Sequence, residues 1–241
     1  MTTPELGFAF ALALAVVHVA AGRVAERDPF SSGTVVSFAG GTTVAYVFVL
    51  ILPETSEAVL SVVEHRGELG GFLSRETEVY VVVLLGFLSF YAVHVFVTSA
   101  GRESPETSAL VFRTHVAAFV VYNALIGYLL FHQEETGLLA QSLYAVAMGL
   151  HFFVTDAGFR RHHGSAYRRV GRWVLAGSVL AGAVVGYATE VSEAGLALLF
   201  AFLGGSIVFN VVKEELPDVE WSRFSSFLAG ATFYTAILLV S

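Results

Sequence analysis

The chain has no cysteine among its 241 residues. Disulfide staples are therefore excluded, and no thiolate is at hand to ligate a soft metal. Charge is also scarce. Asp, Glu, Lys and Arg make up 14% of the sequence, where soluble domains carry about 25%. Lys213 is the single lysine beside twelve arginines, and valine and alanine far outnumber isoleucine. That skew reads as a GC-rich coding bias and carries no function. A Walker loop, a G-x-S-x-G elbow and an H-E-x-x-H helix are absent from the sequence, so no enzyme is expected. Nucleic acid is not an expected partner either, because the few basic residues sort by side of a membrane.

What the chain has in excess is apolar sequence: 56% of residues are hydrophobic, with a mean hydropathy of +0.72. These residues arrive in eight blocks, Leu6–Gly22, Val35–Leu52, Val79–Ser99, Ala109–Phe131, Gly137–Ala157, Arg172–Thr189, Gly195–Lys213 and Phe224–Val240. Each falls near the ~17–25 residues of a spanning helix, whereas barrel strands are ~10-residue alternating segments. In lipid the backbone must satisfy its own hydrogen bonds, which predicts an all-α, polytopic bundle of eight transmembrane helices. The leading MTTPE lacks the basic residue of a secretory signal, so Leu6–Gly22 is expected to be a retained first helix.

Basic residues orient the bundle. With the N-terminus outside, the inner segments hold Arg23, Arg27, Arg102, Arg113, Arg160, Arg161, Arg168, Arg169, Arg172, Lys213 and Arg223, and the outer ones only Arg66 and Arg75. Such a positive-inside bias places both termini outside the cell membrane. The twenty acidic residues divide nine inside and eleven outside, leaving a net negative outer face that suits cation attraction. The basic cluster from Arg160 to Arg169 reads as an inner loop that fixes topology and can meet anionic lipid. Past Pro53, the stretch Ser56–Glu64 reads as a helical continuation of the second span.

One segment occurs twice, 164 residues apart: SFAGGTTVAYVFVLILPE at Ser37–Glu54 and AFLGGSIVFNVVKEELPD at Ala201–Asp218. Phe38/Phe202, Gly40/Gly204, Gly41/Gly205, Val44/Val208, Val47/Val211, Leu52/Leu216 and Pro53/Pro217 are identical, and Glu54 and Asp218 close both copies with an acid. Paired glycines alone often serve close helix approach. Under the topology above, however, the copies cross the membrane in opposite directions, as inverted repeats do in many secondary transporters. The expected organisation is a single membrane domain, 1–241. Residues 1–99 form repeat 1 (spans 1–3), 109–157 a central pair (spans 4–5) and 172–241 repeat 2 (spans 6–8).

On these motifs, S-F-A-G-G with L-P-E and F-x-G-G with L-P-D, the chain resembles the ZIP family of zinc/iron-regulated transporters. The resemblance implies a 3+2+3 inverted-repeat arrangement and a metal centre on the fourth and fifth helices. That family's fourth helix carries His-Asn-x-x-Asp/Glu-Gly, matched here by Tyr122-Asn123-Ala124-Leu125-Ile126-Gly127. Its fifth carries His-Glu-x-x-Glu, matched by His151-Phe152-Phe153-Val154-Thr155. Asn123 and His151 are thus the metal residues the resemblance implies. The carboxylates are gone, and two ligands are fewer than zinc takes from protein.

Other polar residues lie within the apolar blocks, where they are costly and usually face a cavity or a partner. Tyr122, Thr155, Asp156 and His115 are candidate pathway-lining residues: His115 and Tyr122 share a helical face, as do His151 and Thr155. Asp156 also stands one turn before Arg160, which suggests a local i,i+4 pair. His18, His94 and His115 lie towards block ends, where interfacial water is the simpler environment. His162 and His163 read as solvated loop residues. The functional expectation is a ZIP-like membrane transporter moving a divalent metal (Zn, Fe, Mn or Cd) or another small cation through a reduced site between helices 4 and 5. The alternative is a transport-incompetent ZIP-like scaffold with a regulatory or structural role. No resident cofactor beyond such a cation is expected. The partners are membrane lipid and the cation, with homodimerisation open.

Overall fold

The computed structural model describes residues 4–24, 29–53, 55, 76–100, 104–133, 137–215 and 224–240. Glu54, Leu216, Pro217 and Asp218 of the repeat, and the expected helix Ser56–Glu64, lie outside them. Among the described residues the fold is all-helical, without a strand. The elements are α1 (Pro4–Val24), α2 (Pro29–Tyr46), α3 (Glu76–Ser99), α4 (Pro105–Leu129), α5 (Leu138–Ala166), α6 (Arg172–Ala188), α7 (Glu193–Asn210) and α8 (Phe224–Leu238). Among the described residues six helical stretches are apolar and long enough to cross a membrane, and Phe224–Leu238 is a shorter apolar helix. Large apolar side chains such as Leu84, Leu85, Leu88 and Tyr91 point outward on α3, as lipid-facing residues do.

The helices pair through glycine. A Cβ added at Gly41 on α2 would overlap the carbonyl oxygen of Phe227 on α8, and one at Gly230 would overlap that of Phe38. On α3 and α7 the same exchange joins Gly86 to the Phe202 carbonyl and Gly205 to that of Val83. On α4 and α6 it joins Gly127 to Val179 and Gly182 to Ala124. In all three pairs each glycine lies over the carbonyl three residues before its partner glycine. Small residues allow this backbone approach, which supplies packing where lipid offers no hydrophobic drive. Gly186 meets Tyr128 one turn beyond the Gly182–Ala124 contact, so α4 and α6 run parallel.

Two of these pairs correspond residue by residue. Gly41 and Gly205 are matched positions of the repeated segment, as are Phe38 and Phe202, and their partners Phe227/Gly230 and Val83/Gly86 share one spacing. The helices also widen at matched places. α2 passes into a π-helical turn over Val47–Ile51, and α7 does so over Val211–Glu215, 164 residues later. A proline follows two residues after each turn, Pro53 and Pro217. Proline donates no N–H and crowds the carbonyl four residues back, which favours a local widening.

α5 runs well past the expected end of its span. Apolar sequence stops at Ala157, but the helix continues through Arg160, Arg161, His162 and His163 to Ala166. The expected loop is therefore helical. Its corner is Gly164, whose φ of 48° and ψ of −112° suit glycine. A π-helical turn, Tyr167–Gly171, then leads into α6.

Candidate functional site

A buried polar centre forms where α1, α4 and α5 meet. Ser104 caps α4 by accepting a hydrogen bond from the Thr107 N–H, and Pro105 opens the first turn, an N-terminal pattern that sets where the helix begins. From that start, Tyr122 and Asn123 fall about five turns in, on the side facing α1 and α5. His151, Thr155 and Asp156 are buried on α5 and His18 is buried on α1.

His18 is the hub. Its Nδ1 lies 3.0 Å from both carboxylate oxygens of Asp156, and its Nε2 lies 3.1 Å from the Asn123 side-chain nitrogen. The ring stacks on Phe152 at 4.4 Å. With the Asn123 amide donating to Nε2, the proton on the neutral ring sits on Nδ1 and points at the carboxylate. Asn123 Oδ1 is buried without a partner. A flip of the amide would let that oxygen accept from a protonated Nε2, so Asn123 can serve either protonation state of His18. Imidazolium with carboxylate and imidazole with carboxylic acid are both net neutral and differ only in where one proton sits.

Next to this hub, the Tyr122 hydroxyl and His151 Nε2 lie 2.8 Å apart, both side chains almost fully buried. Both residues flagged by motif thus lie in the centre, but in separate contacts: Asn123 bonds His18, while His151 bonds Tyr122. Among the described residues no three His, Asp or Glu side chains stand close enough together to hold a metal ion.

Several local expectations change. Asp156 is 1% exposed and pairs with His18, not with Arg160; burial selects a partner on another helix over the neighbour one turn away. His18 is 0% exposed, because the middle of α1 is covered by α5 and α6. His163, expected in solvent, lies 2.9 Å from His115, whose ring stacks on Phe159 at 4.2 Å. That second histidine group stands beside a cavity bordered by α3, α4, α5 and α7, with His94, His115 and His162 in its wall. Thr155, expected on the pathway, lines this cavity rather than bonding within the centre.

Compared with known proteins, the sequence matches no protein-family model and no curated protein.

Proposed function

We propose that this chain is an integral membrane transporter with a ZIP-like 3+2+3 architecture, moving a small cation through the centre on α4 and α5. The reading has eight spans in the cell membrane with both termini outside. Matched glycine contacts and matched π turns in the two copies support inverted repeats around a central pair. The 51-residue apolar stretch Leu138–Ala188 would be about 75 Å long as one helix, more than twice the ~30 Å hydrocarbon thickness; the Gly164 corner supports counting it as two spans.

The observation that carries the functional reading is the His18–Asp156 pair, ionisable and sealed at 0% and 1% exposure. Intramembrane ionisable residues are costly, and ion pathways and proton relays are among the uses that retain them. A proton suits the centre as built, since His18 has an acid on one nitrogen and a reversible amide on the other. A divalent metal would need His151 to leave Tyr122 and turn towards Asp156. The engagement of every histidine in the centre by a protein group favours the second reading, a transport-incompetent scaffold.

Reconstituted vesicles decide between them. The transporter reading expects a protein-dependent flux of protons, zinc, iron, manganese or cadmium that Asp156→Asn abolishes, with the variant still monodisperse. Wild-type vesicles that pass none of these cations would leave the scaffold reading in its place.

A further inference from the structure

The geometry points to a binding site for a small inorganic anion of halide size in the cavity between α3, α4, α5 and α7. It does not depend on the transport reading.

Two unsatisfied groups define the site. Thr155 Oγ1 and Asn210 Nδ2 are buried without a hydrogen-bond partner, their residues 4% and 3% exposed, and both residues line the cavity. A threonine in a helix ordinarily turns its hydroxyl onto the carbonyl four residues back, as Thr42, Thr43 and Thr55 do in this chain. Thr155 does not. Leaving a buried donor unmet is costly, and a bound ligand removes that cost.

The remaining polar wall gives the sign of that ligand. His94, His115, His162 and Lys213 complete it, and no carboxylate lines the cavity among the described residues. Lys213 carries three donors and no acceptor, so its ammonium disfavours a cation. Imidazole N–H, amide N–H and hydroxyl groups can all donate to an anion, and the buried Thr155 hydroxyl and Asn210 amide do so with little competition from water. The cavity measures about 20 Å³, room for about one water-sized particle, which matches a halide better than an organic anion.

The fold itself does not require this polarity. In the repeated segment, Asn210 corresponds to Tyr46 and Lys213 to Val49. The same scaffold position is thus built without an amide or an ammonium in the first copy. Of the two copies, the second lines the cavity and supplies the amide and the ammonium there.

Line broadening of the chloride resonance tests the site, with purified protein in detergent and gluconate holding ionic strength constant. Wild type should give saturable broadening that bromide competes away. Removing the buried donor in Asn210→Leu should weaken chloride binding about tenfold, and removing the exposed ammonium charge in Lys213→Gln should weaken it about threefold. Ser165→Ala, outside the cavity, should match wild type. Lys213 is exposed, so its variant is expected to fold even if Asn210→Leu does not, and size exclusion checks both. Absence of saturable broadening in wild type, or unchanged affinity in Lys213→Gln, would overturn the proposal. So would cadmium binding that Asn210→Leu removes, because it would reverse the sign of the site.

Discussion

Asp156 and His18 form a buried pair across 138 residues of sequence, with the ring nitrogen 3.0 Å from both carboxylate oxygens. Removing one partner strands the other without water. Asp156→Ala should lower stability by about 3–5 kcal/mol, read from unfolding in mixed micelles. His18→Ala should cost less in the Asp156→Ala background than alone. A full and additive loss in the double variant would show that the two groups do not interact.

Gly41 and Gly205 should respond alike to alanine. Each meets the backbone of the facing helix, which cannot rotate away, so overpacking should cost about 1–3 kcal/mol at either position. Gly177 faces open space, and Gly177→Ala should be neutral or slightly stabilising. Thermal unfolding of the three variants checks this. Equal loss at all three would remove the close approach as the cause.

Tyr122→Phe deletes one hydroxyl and leaves the ring packed against Phe90 and Phe119. Side-chain hydrogen bonds in membranes average about 0.6 kcal/mol and reach about 1.7, so the stability change should be small. Flux should fall far more than stability if His151 works in the pathway. In the same vesicles His151→Ala should abolish flux while the protein stays folded. Wild-type flux in His151→Ala would assign that histidine a packing role.

The cysteine-free chain is ready for single-cysteine labelling. Ser165→Cys beside the Gly164 corner should react with an impermeant maleimide only from the inner face. Val191→Cys, in the short link between α6 and α7, should react only from the outer face. Labelling of both from one side would refute the expected topology of α6.

Helix positions were legible because lipid demands apolar length. Val79–Ser99 and Arg172–Thr189 fall within three residues of the observed bounds of α3 and α6. The end of α5 was not legible, since Arg160-Arg161-His162-His163 carries the charge of a loop while making a helix that outruns its apolar sequence. The corner at Gly164 emerges only from its backbone angles. At the site, Tyr122, Asn123 and His151 could be found from local motifs. His18 could not: no spacing along one helix encodes a partner 138 residues away, and the nearer Arg160 offered Asp156 a simpler pairing. Thr155 was found, but its empty hydroxyl emerges only from comparison with the threonines that bond their own helix.

The glycine exchanges leave a recognisable signature for evolution. Six positions, Gly41, Gly86, Gly127, Gly182, Gly205 and Gly230, admit no side chain without moving a backbone, while outward positions on α3 need only be oily. Purifying selection is therefore expected to fall on these sites and on the buried polar centre, with the lipid-facing sequence freer to drift among Val, Leu, Ala and Phe. Descendants of this bundle would then share a ruler of glycine intervals long after their percentage identity had faded. Their kinship is better sought by measuring those intervals than by scoring aligned residues.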